Sequence, residues 1–149
     1  MVPYPIFVYH LTTRLVIIII FFLLHWYFSL FCQSFFLHRY AAHQMFVMNK
    51  YWEKFFYFFT WMWQGSSYLS PRAYAILHRM HHAYSDTPQD PHSPHHTENL
   101  FSMMWKTKNI YNDYFSFKLK PKDRFSKDIP DWNSFDRFAD NMTVRIAWG

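Results

Sequence analysis

Leu15-Val16-Ile17-Ile18-Ile19-Ile20-Phe21-Phe22-Leu23-Leu24-His25-Trp26-Tyr27-Phe28-Ser29-Leu30-Phe31-Cys32-Gln33-Ser34-Phe35-Phe36 runs for 22 positions without a formally charged residue. A helix needs about 20 apolar residues to cross the hydrocarbon core of a bilayer. The stretch therefore predicts a transmembrane helix over 15–36. A secretory signal peptide has a shorter apolar core followed by a small-x-small cleavage site, and no such site follows here. A lipoprotein cysteine at Cys32 is excluded by the bulky Phe31 before it. Cys32 is the only cysteine, so neither an intrachain disulfide nor a cysteine-based zinc site is available, and packing accounts for it. His25 lies near the middle of the run. Intramembrane ionisable residues are functional candidates by default, but a neutral imidazole bonded to a neighbouring helix explains this one.

The composition suits a membrane setting. Half of the 149 residues are hydrophobic and 24% are aromatic, against only two glycines. Of the 15 Lys and Arg residues, only Arg14 precedes the run. Basic residues flanking membrane segments favour the cytoplasmic side, so the chain after the run is expected in the cytosol. The net charge of +5 does not point to nucleic acid, because the sequence has neither a basic stripe nor a recognition motif.

Two histidine clusters follow the run. The first is His38-Arg39-Tyr40-Ala41-Ala42-His43 and the second is His78-Arg79-Met80-His81-His82. Neutral imidazole is the commonest metal ligand among side chains. His78 lies three and four positions from His81 and His82, spacings that share one helical face. His81 and His82 are about 100° apart and can address two neighbouring metals; His38 and His43 are about 140° apart on a straight helix. The first pair is therefore expected to serve different metals or to straddle a helix end. Five imidazoles in two tight groups predict a multi-histidine metal site beside a membrane.

The stretch between the clusters constrains the topology. Residues 51–69 are rich in Phe, Tyr and Trp, with Glu53 and Lys54 near the start. A single crossing there would put the clusters on opposite faces. Two crossings need about 40 residues plus a turn, and only 34 separate His43 from His78. An interfacial or re-entrant helix or hairpin satisfies both limits, and aromatic residues suit that depth. Beyond it, Asp86 to His96 is a proline-rich loop in which Asp86 and Asp90 can orient ligating imidazoles. His95 and His96 read as solvated. The region 78–141 reads as a cytosolic helical cap, and 142–149 as the start of another membrane helix. The expected fold is an all-α membrane protein.

At these residues the chain resembles the membrane-bound fatty acid desaturases, with the stearoyl-type acyl desaturases nearest. His38-x-x-x-x-His43 is similar to their first histidine box, His78-x-x-His81-His82 to their second, and Asp90-Pro91-His92 to a step that follows it. The resemblance implies two non-haem irons (Fe2+) held by His38, His43, His78, His81 and His82, with Asp86, Asp90 and His92 around them. It implies dioxygen-dependent removal of two hydrogens from a fatty acyl chain at the cytosolic face of a multi-pass membrane protein. Electrons would come from a ferredoxin, a rubredoxin or cytochrome b5. The residues themselves argue only for imidazole-rich metal chemistry, which iron, copper, zinc and nickel all accept.

The chain departs from the family pattern in two ways. The family carries a third H-x-x-H-H box, whereas no histidine follows His96. The resemblance thus implies a partial desaturase domain over 1–149, an incomplete chain that is inactive alone. The Arg-Asp pair that precedes the second box in acyl-CoA desaturases is Ile76-Leu77 here, which leaves acyl-lipid, acyl-CoA and acyl-carrier-protein substrates open. The rival readings are a diiron membrane hydroxylase of lipids and a non-enzymatic metal- or haem-binding membrane protein.

Overall fold

The computed structural model describes residues 4–148, with side chains from Val8 onward. All regular structure among the described residues is helical. Helix α1 (Tyr4–Phe31) continues without a break into a π-wound segment (Cys32–Ala42). Every residue from Val8 to Leu24 is exposed, although all of them from Leu15 onward are apolar. In water such a face would be untenable; in lipid it is the required one, because a spanning segment must satisfy its own backbone. Among the described residues, Val8–Ala42 is the one helix long and apolar enough to cross a membrane. Its 35 residues reach about 50 Å at 1.5 Å per residue, roughly 20 Å more than a bilayer core. The helix outruns the expected 15–36 at both ends, because charge marks where lipid stops, not where winding stops.

Asn49 caps helix α2 (Lys50–Gln64) by accepting from Trp52 N. This helix runs antiparallel beside the second half of α1. Glu53 accepts from Tyr40 OH, Phe56 stacks on Phe36, and Phe59 and Trp63 meet Phe28. Fifteen residues give about 22 Å, too short to span. The turn at Gly65 has φ 56°, and Trp148 lies 3.5 Å from where a Cβ would sit. Positive φ is cheap only for glycine, so the chain reverses there.

Ser70 then caps helix α3 (Pro71–Tyr84), with Pro71 in the first turn. Helix α3 packs back along the π segment, Ala75 against Ala41 and Ala42. Helices α2 and α3 thus form a helical hairpin, and the stretch 51–69 itself holds one helix, α2, and the turn after it.

The cap follows. Helix α4 (Leu100–Phe115) starts in an Asn99–Ser102 capping box and packs Tyr114 on Ile76 and Leu77. The Ser70 N–H donates to Tyr111 OH at 2.8 Å. A single turn, α5 (Asp123–Ser126), lays Phe125 on Tyr84. Helix α6 (Asn133–Asp140) brings Phe135 onto Tyr57 and buries Asp136. Helix α7 (Met142–Trp148) covers most of the expected 142–149 element, whose Gly149 lies outside the described residues. Arg145 fixes α7 to the hairpin turn by donating to Ser66 O and Tyr68 O.

Asp136 is the buried polar pin between cap and hairpin. Tyr68 OH donates to Oδ1 at 2.7 Å and Ser70 Oγ to Oδ2 at 2.6 Å. Burial raises its pKa to about 6, with the two hydroxyls working the other way. The folded pKa exceeds the ordinary 3.8, so the fold favours the protonated acid. That stabilisation is complete below about pH 4 and is lost as pH rises through about 6. Two pKa units correspond to roughly 3 kcal/mol. Asp136→Asn is expected to gain stability relative to wild type as pH rises from about 4 to about 7. Asp136→Ala is expected to cost about 1–3 kcal/mol near pH 4, by orphaning two buried hydroxyls, and less as pH rises and wild type weakens. Thermal unfolding in detergent, followed by tryptophan fluorescence, reads both.

Candidate metal centre

The first histidine pair is shaped by backbone winding. The His43 N–H donates to His38 O at 3.0 Å, a span of five residues. Such π winding is rare and, when it occurs, frequent at functional sites. It brings residues five apart onto one face, and the His38 and His43 rings lie 4.5 Å apart. The expectation of about 140° between them, drawn from a straight α-helix, is therefore corrected. The rings converge on one place, and the pair does straddle the helix end, since His43 is the residue just past Ala42.

Helix α3 meets this pair with His78 and His82, one turn apart. The His78 ring lies 4.6 Å from His38 and 4.9 Å from His43. The His82 ring is 4.6 Å from His78 and 5.0 Å from His43. His78 Nε2 sits 3.0 Å from both His43 Nε2 and His82 Nε2. A neutral imidazole nitrogen carries either one proton or one lone pair, so His78 Nε2 cannot satisfy two nitrogens by ordinary pairing. A cation at the point of convergence satisfies all of them. His38, His43 and His78 also bring one ligand atom each within 4.8 Å of one another. Burial and the neighbouring imidazoles lower the His78 pKa to about 4, and the same causes lower that of His43. Both are therefore neutral near pH 7, the form that ligates. The donor set fits a metal of the imidazole-binding class, iron included.

His81 points elsewhere. Its Nδ1 donates to Asp90 at 2.9 and 3.0 Å, which leaves Nε2 free. Asp90 is fully buried and also accepts from the Asp86 and His92 N–H groups. Burial opposes its charge, but these hydrogen bonds prevail and hold its pKa below the ordinary value. Asp86 stands away from both boxes and faces Ser93 and His95. His92 lies near His81, ring to ring 6.2 Å. Thr107 donates its own proton to a carbonyl, Pro91 O being nearest at 2.8 Å. It thus accepts from His92 Nδ1 at 3.2 Å, leaving that Nε2 free as well. Thr107 has no sequence signature for this role, because it lies 15 residues from its partner. His95 and His96 remain exposed, and His25 packs by Trp63, far from the cluster.

A cavity of about 520 Å³ opens beside His78, His81 and His92, walled by Leu69, Leu77 and Met104. A smaller one, about 340 Å³, opens on His43 and His82. Helix α3 thus presents box histidines to two sides.

No curated protein and no solved structure matches the chain. The family model described as fatty acid desaturase matches residues 12–149, a range that holds both histidine boxes, the Asp90-Pro91-His92 step and the whole cap. With nearly the entire chain inside that match, this protein belongs to the fatty acid desaturase family.

Proposed function

We propose that the chain carries the first two histidine boxes of an oxygen-dependent acyl desaturase with a two-iron centre. The observation that carries this reading is the convergence of four imidazoles, two from each box, beside an apolar cavity. In this reading His38, His43, His78 and His82 hold one non-haem Fe2+ and His81 faces the second. Five imidazoles leave many of the roughly twelve positions of two six-coordinate ions to water and to donors beyond the two boxes. His92, with its free Nε2, is the nearest such donor.

Bound iron would supply the dioxygen chemistry needed to break unactivated C–H bonds. The balance fixes the partners. Converting CH2–CH2 to CH=CH releases two protons and two electrons. Reducing O2 to two waters takes four of each, so two more electrons and two protons must enter. A ferredoxin, a rubredoxin or cytochrome b5 fits the electron role. The protein's own residues orient and exclude. Asp90 holds the His81 proton on Nδ1 and aims Nε2 outward; Thr107 does the same for His92. Leu69, Leu77 and Met104 give an acyl chain an apolar wall from which water is expelled. The acyl group can arrive on a lipid, on CoA or on a carrier protein. The full-length parent is an integral, multi-pass membrane protein to which this chain contributes one span, and both boxes face the cytosol.

Three outcomes are expected. Purified protein contains iron with a non-haem optical spectrum, and His38→Ala, His43→Ala, His78→Ala, His81→Ala or His82→Ala each reduces iron content. Asp90→Ala lowers iron affinity about 10–100-fold through its histidine, and His92→Ala has a smaller effect. Full iron occupancy after His81→Ala would sink the assignment.

Second, single cysteines at the exposed Gln44 and Ala83, in a Cys32→Ser background, react with an impermeant reagent from the same side of sealed vesicles. Opposite-side labelling would disprove a shared centre. Third, Met104→Trp fills the larger cavity and weakens binding of a fluorescent fatty acid about tenfold, on the scale of losing 1.4 kcal/mol, with iron content unchanged.

A further inference from the structure

The end of the first-box helix poses an accounting problem. The last carbonyls of any helix lack partners inside it, and buried ones must find them elsewhere. Here His38 O accepts from His43 N–H, Arg39 O from Met45 N–H, and Tyr40 O from Gln44 N–H, at 3.0, 3.0 and 3.2 Å. Gln44 turns the chain with φ 52°. Ala41 O and Ala42 O remain, on residues that are 0% and 3% exposed.

Arg79 takes both. It stands inside the second box, between His78 and His81, on the flank of α3 that faces the first. Its Nε donates to Ala42 O at 2.7 Å and one terminal nitrogen to Ala41 O at 3.2 Å. The other terminal nitrogen donates to Lys127 O at 2.7 Å and Phe125 O at 3.5 Å. Gln44 Nε2 reaches the same strand of cap, donating to Lys127 O and Asp128 O. One guanidinium thus joins three segments: the end of box one, the helix of box two and residues 125–127.

We infer that Arg79 is the positioning residue of this metal centre, the clamp that holds His43 against His78 and His82. The inference rests on the metal reading of the boxes. Ala42 is bonded to His43, so a shift of the Ala42 carbonyl is a shift of that imidazole. The fork geometry is needed: arginine offers five donors in a fixed plane, lysine three from a single point. A lysine cannot hold Ala41 O, Ala42 O and Lys127 O at once. The cation at a helix C-terminus also complements the local dipole. Arg79 touches neither metal nor substrate in this role and acts through His43.

The test uses the whole chain in detergent or nanodiscs. Wild type, Arg79→Lys, His43→Ala and the double variant are titrated with Co2+, read by its ligand-field absorption. The metal-free proteins are compared by amide hydrogen exchange at His43 to Met45. Arg79→Lys is expected to weaken Co2+ binding about 10–100-fold, the range for residues that orient ligands. Exchange at those amides is expected to quicken. In the His43→Ala background Arg79→Lys should add little. Equal losses with and without His43 overturn the positioning role. So does a loss no greater than that of Asp136→Ala at matched thermal stability. Should wild type take up no Co2+, the metal reading fails, yet exchange still decides the clamp. Unchanged exchange in Arg79→Lys overturns it, and faster exchange supports it.

Discussion

A hydrogen bond that reaches back five residues, from the His43 N–H to His38 O, governs the geometry of this protein. In a regular α-helix those two imidazoles diverge. With π winding from Cys32 to Ala42 they stand on one face, and helix α3 can close on them with His78 and His82. The hairpin of α2 and α3 is the means of that approach. It leaves the end of α1, runs down its flank and returns, so two boxes 34 residues apart in sequence meet ring to ring.

Much of this was legible in the sequence, and the failures have physical causes. The charge-free run announced the span, because the bilayer penalises charge over a fixed thickness. The spacing put His78 and His82 on one helical face and turned His81 about 100° away from His82, because α-winding is the default there. Length alone argued against two crossings between the boxes, and the first helix in that stretch, α2, has fifteen residues. The π winding had no such signature, since nothing in Cys32-Gln33-Ser34-Phe35 distinguishes five-residue from four-residue bonding. Asp86 and Asp90 looked alike on paper. Only the loop's folding turned Asp90 inward to His81 and left Asp86 at the surface. Arg79 was hidden for a different reason: its partners are backbone carbonyls, which carry no residue identity.

Two buried carboxylates show how one fold sets opposite electrostatic conditions. Asp90 collects an imidazole N–H and two backbone N–H groups, enough to keep it charged despite burial. Asp136 collects only two hydroxyls, and its pKa rises to about 6. The first anchors the loop beside the histidine boxes, where an anion steadies an imidazole. The second anchors the cap to the hairpin, and its charge is lost as pH falls through about 6.

The unbroken passage from lipid-facing helix to histidine box also constrains how such a sequence can change over generations. One residue added within 25–36 would lift the first box by about 1.5 Å and rotate it by about 100°, turning His38 and His43 away from α3. Only insertions near a whole helical turn would keep the two boxes facing, and these would raise the centre by about 5 Å against a hairpin already matched to it. Loops such as 85–99 can drift in length at little cost. The long apolar helix, although most of its side chains touch nothing else in the protein, cannot: its composition is free to wander while its length is not.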